Sequence, residues 1–346
     1  MKGSFFLGAS HEPKFELREM TFPTIPADGV LVRVMACGVC GTDVHICQGE
    51  QGSAPVLPPV VLGHEFSGVV ERVGTAVHAV KPGDRVALDP NMYCGKCRAC
   101  RMGKKQNCET LYALGVNTNG GFAEFCLAPE AQCFRIRDNV SFDAAAMAEP
   151  ISCALHGIDR LQVQAGQNVV VIGGGTIGLL MIQLAKLRGA AHIILSEPSA
   201  MRRRIAQQIG ADAVLDPVSE DVPARVRQLL HADGADCVIE CVGKAATTEQ
   251  AFELAGSGAT VLLFGVPGVT AKAALPLFPV YKKEMTVMGS IINPDTVQRA
   301  VDLLNCGRLQ IEPLITHTYG LGRVEEAIQM QMCMESIKVL VHPQEF

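Results

Sequence analysis

At 346 residues the chain is longer than one hydrophobic core usually organises, and two domains are expected. With 48% hydrophobic and 19% charged residues and a net charge of −5, it reads as an ordinary globular protein rather than a disordered or fibrous one. Its one dense basic cluster, Arg202-Arg203-Arg204, is too short for a nucleic-acid footprint, and its longest uncharged stretch, the 14 residues Val169–Ile182 with four glycines, is too short to span a bilayer.

Taken in chain order, the first 150 residues alternate short β-branched runs with Gly/Pro turns. GVLVRVMA, FSGVVERVG and DRVALDP read as strands, and few long helical periods interrupt them. From about Val163 the texture changes. NVVVIGGG, HIILSEP, DAVLDP, DCVIECVG, TVLLFGVPG and MTVMGSI read as strands, separated by helix-period segments IGLLMIQLAKLRG, AMRRRIAQQIG, VPARVRQLLHADG and TTEQAFELAGSG. That alternation implies a parallel sheet with both faces covered. The tail reads as a helix (DTVQRAVDLLNCG), a loop, a second helix (GRVEEAIQMQM) and a last strand, IKVLVHP. The fold class expected is α/β: a doubly wound parallel sheet joined to a mainly β domain. The domains expected are 1–152, with a cysteine lobe at about 90–110, and 153–290, packed across a cleft, with 291–346 rejoining the first.

The motifs carry the chemistry. The N-terminal MKGSFFLGASHEP has only a short apolar run and no secretory signal, so a cytoplasmic protein is expected. Fourteen cysteines in such a chain point to metal binding or plain burial rather than disulfides. Cys37 and Cys40 form a Cys-x-x-Cys in CGVCGTDVH, which by itself could be half a zinc knuckle, a redox pair or neither. Cys94, Cys97, Cys100 and Cys108 lie within fifteen residues, a spacing that closes a four-thiolate shell around a structural zinc. Lys96, Arg98, Arg101, Lys104 and Lys105 are interleaved and can soften its charge. A second constellation, Cys40, His64 and Glu65 with Glu149 in AEPISCALHG, mixes thiolate, imidazole and carboxylate, the donor set of an open catalytic zinc. Cys153 is a rival to Glu149, and His156 is read as a satisfied core histidine. Cys47, Cys126, Cys133, Cys237, Cys241, Cys306 and Cys333 have no metal-like spacing and read as small core residues.

Gly173-x-Gly175-x-x-Gly178 follows the strand VVVI and opens a helix, which is the dinucleotide-binding context. Glu197 ends the next strand, nineteen residues beyond Gly178, where a carboxylate can accept ribose hydroxyls. It favours NAD over NADP, because it would repel a 2′-phosphate. Arg202 to Arg204 are the counter-signal, though they also fit a solvated helix face.

Together CGVCGTDVH, GHEFSG, the cysteine lobe, AEPISCALHG, VVVIGGGTIG and Glu197 resemble the zinc-dependent medium-chain dehydrogenases over essentially the whole chain, and most of all their polyol branch. The resemblance implies a GroES-like catalytic domain, a Rossmann domain, two zinc ions per chain and a homodimer or homotetramer. It makes Cys40 and His64 zinc ligands, Glu65 a ligand in the polyol branch, and Glu149 a ligand directly or through water. It makes Thr42 the proton acceptor, His45 the end of a relay to solvent and Asp43 the partner that orients His64. It also places Thr176, Ile177, Arg202, Val242, Gly265, Val266 and Lys338 at the cofactor, the last against its phosphates.

The implied chemistry is reversible oxidation of a secondary alcohol of a polyol or sugar alcohol, phosphorylated or not, with a nicotinamide accepting hydride. Ile292 and Asn293 in GSIINPD stand where sorbitol dehydrogenases carry Arg-Tyr, and Ile46 replaces an aromatic. The GSxxN pattern resembles that of enzymes oxidising phosphorylated hexitols. L-Threonine and diols are the alternative substrates. A non-catalytic NAD(P)-binding relative is the alternative of another class; such relatives typically lose the metal residues present here.

Overall fold

The computed structural model describes residues 1–9, 14–50 and 54–345. The chain divides into one unit of Met1–Ser152 with Asn293–Phe346, and a second of Cys153–Ile292.

The first unit is built on the strand Gly29–Val39, buried along nearly all of its length. It pairs antiparallel with Glu65–Val73, Phe125–Pro129 and Lys338–His342, so the last strand of the chain lies beside one of the first. A run as apolar as GVLVRVMACGV, without polar alternation, is what a strand covered on both faces requires. Around it pack Phe6, Leu62, Phe66, Phe122 and Val341, each at most 2% exposed. Arg85–Leu88, Cys133–Arg135 and Ile315–Gly320 extend this sheet to seven strands, and the unit also holds a sheet of three strands, Phe15–Glu19, Lys2–Phe6 and Val60–Val61, and the two-stranded pair Asn91–Met92 and Tyr112–Ala113.

The second unit is a six-stranded parallel sheet in the spatial order Ala213–Leu215, His192–Ser196, Asn168–Ile172, Ala235–Glu240, Ala255–Leu263, Thr286–Gly289. Numbered within the unit this is 3-2-1-4-5-6, the doubly wound order, whose direction reverses between the first and fourth strands. The glycine loop follows the first of those strands, at the switch point. Gly173 has φ of +95°, outside the range most side chains adopt, and leads into the helix Thr176–Leu187. A Cβ on Gly178 would lie 1.8 Å from the Gly173 carbonyl oxygen, so the helix and the glycine loop touch backbone to backbone here.

Three local readings need correction. TTEQAFELAGSG is not helical throughout: the helix stops at Leu254 and the strand starts at Ala255, with Gly258 at φ of +74° and a register shift opposite Ala235 and Cys237. The tail loop contains a strand, Ile315–Gly320, parallel to Lys338–His342. The largely β first part also holds the helix Gly41–Cys47 and the start of a 14-residue helix, Ala148–Leu161, that carries Glu149 in its first turn. Pro150 does not break that helix because first-turn amides have no intrahelical acceptor to lose.

No helix among the described residues is long and apolar enough to cross a membrane. Because the contact at Gly178 is against backbone, Gly178→Ala should cost about 1–3 kcal/mol and lower the melting temperature by roughly 3–10 °C. Differential scanning calorimetry would show it, and an unchanged melting temperature would mean the loop is not held this tightly.

Candidate functional site

Two groups of metal-capable side chains lie in the first unit. In the lobe, the sulfurs of Cys94, Cys97, Cys100 and Cys108 all lie within 4.8 Å of one another, with Cys94 Sγ 3.9 Å from Cys100 Sγ. A tetrahedral zinc with Zn–S bonds of about 2.3 Å needs sulfurs about 3.8 Å apart, so the group fits zinc. Backbone amides arrange it: Cys97 N–H donates to Cys94 Sγ at 3.3 Å, Cys94 N–H to Cys108 Sγ at 3.4 Å and Cys100 N–H to Cys97 Sγ at 3.5 Å. The Cys97 and Lys96 amides pull the Cys94 thiol down to about 6, while burial pushes Cys100 up to about 12. A metal has to displace the proton that Cys100 keeps. Four sulfurs leave no open position, which makes this group structural. Lys96, Arg98, Arg101 and Lys104 are exposed, and Lys105 reaches Asp295 at 2.7 Å.

The second group is Cys40, His64 and Glu65, whose donor atoms also lie within 4.8 Å of one another. Cys40 caps the helix Gly41–Cys47 from extended backbone. Its Sγ accepts the Thr42 N–H at 3.4 Å and lies 3.7 Å from the Thr42 hydroxyl, and its own N–H donates to Asp43 Oδ2 at 2.9 Å. This reciprocal capping is why a helix as short as seven residues forms where it does. The other oxygen of Asp43, which is fully buried, faces His64 Nδ1 at 3.6 Å, longer than the expected hydrogen bond but within ion-pair range. Neither atom has a hydrogen-bond partner elsewhere among the described residues. With Nδ1 turned to Asp43, His64 offers Nε2 to a metal, the arrangement in which a carboxylate orients a ligating imidazole. Burial opposes charge on His64, but Asp43 and Cys40 outweigh it and hold the imidazole well above its ordinary pKa.

Glu65, 1% exposed, sits opposite Gly38 on the neighbouring strand, where a Cβ would come within 2.2 Å of its Oε2. That oxygen binds Lys338 Nζ at 2.5 Å, and Lys338 also donates to the Val39 carbonyl at 2.9 Å. Lys338 is 2% exposed, and its ammonium is engaged by the Glu65 carboxylate, a partner that the expected role at cofactor phosphates did not include. Burial opposes its charge, and Glu65 and then Cys40 restore it. Glu149 is buried and acts electrostatically on Lys338, yet stands outside the compact three-residue group.

The remaining cysteines resolve simply. Cys37 is fully buried, and its thiol is held well above its ordinary pKa by burial, which rules out an accessible redox pair with Cys40. Cys306 and Cys333 are exposed rather than core, and all fourteen cysteines are free thiols. His45 is half-buried, its Nδ1 2.6 Å from Glu50 Oε2, a partner that nothing in the CGTDVH pattern pointed to. His156 is half-buried, and burial lowers its pKa.

In the second unit Glu197, 2% exposed, accepts the Gly174 N–H at 2.6 Å and the Ser199 N–H at 2.8 Å, joining the glycine loop to the next strand's end. Arg202 Nη1 lies 4.0 Å from the same carboxylate. Arg203 is fastened to the Glu197 and Pro198 carbonyls, both at 2.7 Å, and of the three arginines only Arg204 is exposed, so they do not form a solvated face. Thr176 and Ile177 open the helix after the glycine loop. Sequence reasoning missed Glu240. It is 1% exposed and accepts the Val242 and Gly243 amides at 2.8 and 2.9 Å and the Thr247 hydroxyl at 2.8 Å. It thereby shapes the loop in which Val242 is 37% exposed, beside Gly265 and Val266. The available signal was an acidic residue closing the apolar strand of DCVIECVG.

Residues 26–138 match the alcohol dehydrogenase GroES-like domain and residues 176–305 the zinc-binding dehydrogenase domain. D-arabinitol dehydrogenase 1 of Uromyces fabae is 34% identical, over 95% of this chain and 94% of its own. An L-threonine 3-dehydrogenase of Caldanaerobacter subterraneus is 34% identical over 96% of each chain. A crystal structure of a zinc-binding dehydrogenase target from Sinorhizobium meliloti 1021 bound to NADP superposes with a TM-score of 0.93 at 39% identity, covering 99% of this chain and 100% of that one. The chain belongs to the zinc-dependent medium-chain dehydrogenases, in their polyol branch, and is an NAD(P)-linked oxidoreductase.

The two groups can be told apart by metal content. Cys40→Ala should lower bound zinc from two to one per chain while the lobe keeps its ion. Cys37→Ala, which removes only a buried sulfur at a cost of about 1 kcal/mol, should keep both. Inductively coupled plasma analysis decides between these, and loss of both ions from Cys40→Ala would contradict the assignment.

Proposed function

We propose that the protein oxidises a secondary alcohol of a polyol or sugar alcohol, phosphorylated ones included in the class, to the ketone, reversibly and with NAD. The observation that carries this reading is the donor set Cys40, His64 and Glu65 within 4.8 Å, with a hydroxyl side chain, Thr42, 3.7 Å from the thiol. When bound, the metal supplies Lewis-acid polarisation of the alcohol oxygen, and the dinucleotide supplies the hydride acceptor. Cys40 and His64 would hold the metal and Glu149 would complete its protein ligands directly or through water. Glu65 faces two demands, ligation and its bond to Lys338. Thr42 accepts the alcohol proton, and His45, backed by Glu50, passes it to solvent. Asp43 keeps His64 Nε2 available. Gly173, Gly175, Gly178, Thr176 and Ile177 receive the pyrophosphate, Glu197 and Arg202 the adenine ribose, and Val242, Gly265 and Val266 flank the cofactor.

NAD is preferred on the reading that Glu197 faces the adenine ribose, where its charge would repel a 2′-phosphate, and Arg202 lies 4.0 Å from that carboxylate. L-Threonine is the second reading, favoured by the 34% identical threonine dehydrogenase. We place the protein in the cytoplasm, where its fourteen free thiols stay reduced.

We also read it as a homodimer or homotetramer. The terminal strand Thr286–Gly289 pairs with one neighbour among the described residues, and Leu277, Phe278, Tyr281 and Ile291 near it are 74%, 71%, 79% and 51% exposed. A second copy brought up by a two-fold axis can pair that edge with its own antiparallel equivalent and cover those side chains.

Two measurements follow. A panel of polyols, phosphorylated polyols, diols and L-threonine should show NADH formation on polyols, with kcat/KM at least about tenfold higher for NAD than for NADP; turnover of threonine alone, or a preference for NADP, would overturn the corresponding part. Light scattering should give a dimer or tetramer mass, and Val287→Lys should shift it toward the monomer; a monomeric wild type would refute the edge pairing.

A further inference from the structure

A hydrogen-bonded group of buried polar side chains lies in the first unit, apart from the metal donors. Asn293 is fully buried. Its Oδ1 accepts from Asn91 Nδ2 at 2.6 Å, and its Nδ2 donates to Ser152 Oγ at 2.8 Å, with Asp89 Oδ1 at 3.5 Å. Ser152 Oγ donates in turn to the Glu149 carbonyl at 2.6 Å, and the Ser152 carbonyl accepts from Thr296 Oγ1 at 2.8 Å. Asp89 Oδ1 accepts the Asn91 N–H at 3.0 Å, and Gln132 Nε2 donates to the Asn91 carbonyl at 2.9 Å. The chain passes between its two units after Ser152 and again after Ile292, so the Asn293–Ser152 bond fastens the two passages to each other. The segment is held in an unusual backbone: Ile292 has φ of +42° and Asp295 of +58°. A β-branched residue in that region is costly and persists only where its surroundings enforce it.

We infer that Asn293 is a positioning residue for the metal centre, which through Ser152 sets the first helical turn from which Glu149 reaches the metal. The inference rests on the reading of Glu149 as a metal ligand. Asn293 presents no surface, so its role is exerted through the residues it binds rather than on substrate. Only an amide meets the demand. It must accept from Asn91 and donate to Ser152, so that the serine hydroxyl remains free to donate to Glu149. A carboxylate at 293 would draw the serine proton away from Glu149 and sit beside Asp89. Burial already pushes the Asp89 carboxyl up to about 6 against the Asn91 and Asn293 bonds, so a second carboxylate there cannot also ionise readily.

The test is zinc release from the holoenzyme to a chromogenic chelator, resolved into a faster and a slower ion, alongside the melting temperature and kcat and KM for the best alcohol. Asn293→Ala and Asn293→Asp should each release the catalytic ion about tenfold faster, the range over which outer hydrogen bonds tune metal affinity, while the lobe ion leaves at the wild-type rate. The double variant Asp89→Asn/Asn293→Asp, which removes the like-charge clash but still leaves a carboxylate facing Ser152, should stay about tenfold faster; a return to the wild-type rate would mean that the clash with Asp89, and not the serine, matters, and would overturn the inference. Glu149→Gln is the control. If it accelerates release and the Asn293 variants do not, the positioning role is refuted and the ligand reading stands. If Glu149→Gln leaves release unchanged, the ligand reading fails and this inference with it. Equal loss of both ions from the Asn293 variants with a lower melting temperature would reduce the network to general stability and also overturn it.

Discussion

The first unit depends on a buried ion pair that spans a strand. Glu65 and Lys338 lie on the two strands flanking Gly29–Val39 and meet over Gly38, the residue with no side chain to separate them. Either charge left alone in that interior would cost roughly 3–5 kcal/mol, so both strands must keep the register that brings them together. A slip by one residue would turn Glu65 to the other face and put a side chain between the charges. His64 precedes Glu65 and Cys40 follows Val39, whose carbonyl Lys338 also binds. The same constraint that aligns the sheet therefore places two metal donors, and it explains why the chain returns its last strand to the first unit.

The two metal groups differ in what they leave open. The lobe is built locally, with amides of a fifteen-residue loop donating to its own sulfurs, and four thiolates satisfy a zinc completely. The centre at Cys40 gathers donors from a helix cap, a turn and a strand, and mixes soft and hard ligands. Partners stand behind its candidate donors: Asp43 behind His64, Lys338 behind Glu65 and, by our inference, Asn293 behind Glu149. A centre of that kind can keep a coordination position for substrate, which the lobe cannot.

Much of this was legible in the sequence, and what was hidden has a physical pattern. The α/β alternation, the glycine loop and the cysteine spacing are local signals, decided within one turn or one strand–turn–helix unit. Cys40, His64 and Glu65 were legible as donors because the residue types announce their chemistry, and the fold does bring their atoms together. Of their partners, Asp43 was expected from the resemblance; the others were not legible. The resemblance implied a role for Lys338 at phosphates; only the tertiary pairing with Glu65 reveals the buried counter-charge it also carries. Glu240, Glu50 and Asn293 likewise take their meaning from residues that meet them only in the fold or across a loop. The helix Ala148–Leu161 escaped because AEPISC, with its proline, reads as a junction until Pro150 is seen in a first turn. The strand Ile315–Gly320 has only the edge of a sheet to pair with, and its short run ITHTYG carries little periodicity.

The central claim is that the centre formed by Cys40 and His64 is where the alcohol reacts. Exchanging its ion for Co(II), with zinc left in the lobe, gives that centre visible absorption bands of its own. Titration with an oxidisable polyol in the presence of NADH should shift those bands with a saturation curve that matches the inhibition or KM of the same compound. Bands that stay unchanged at concentrations saturating turnover would mean the alcohol reacts elsewhere, and the account would fail.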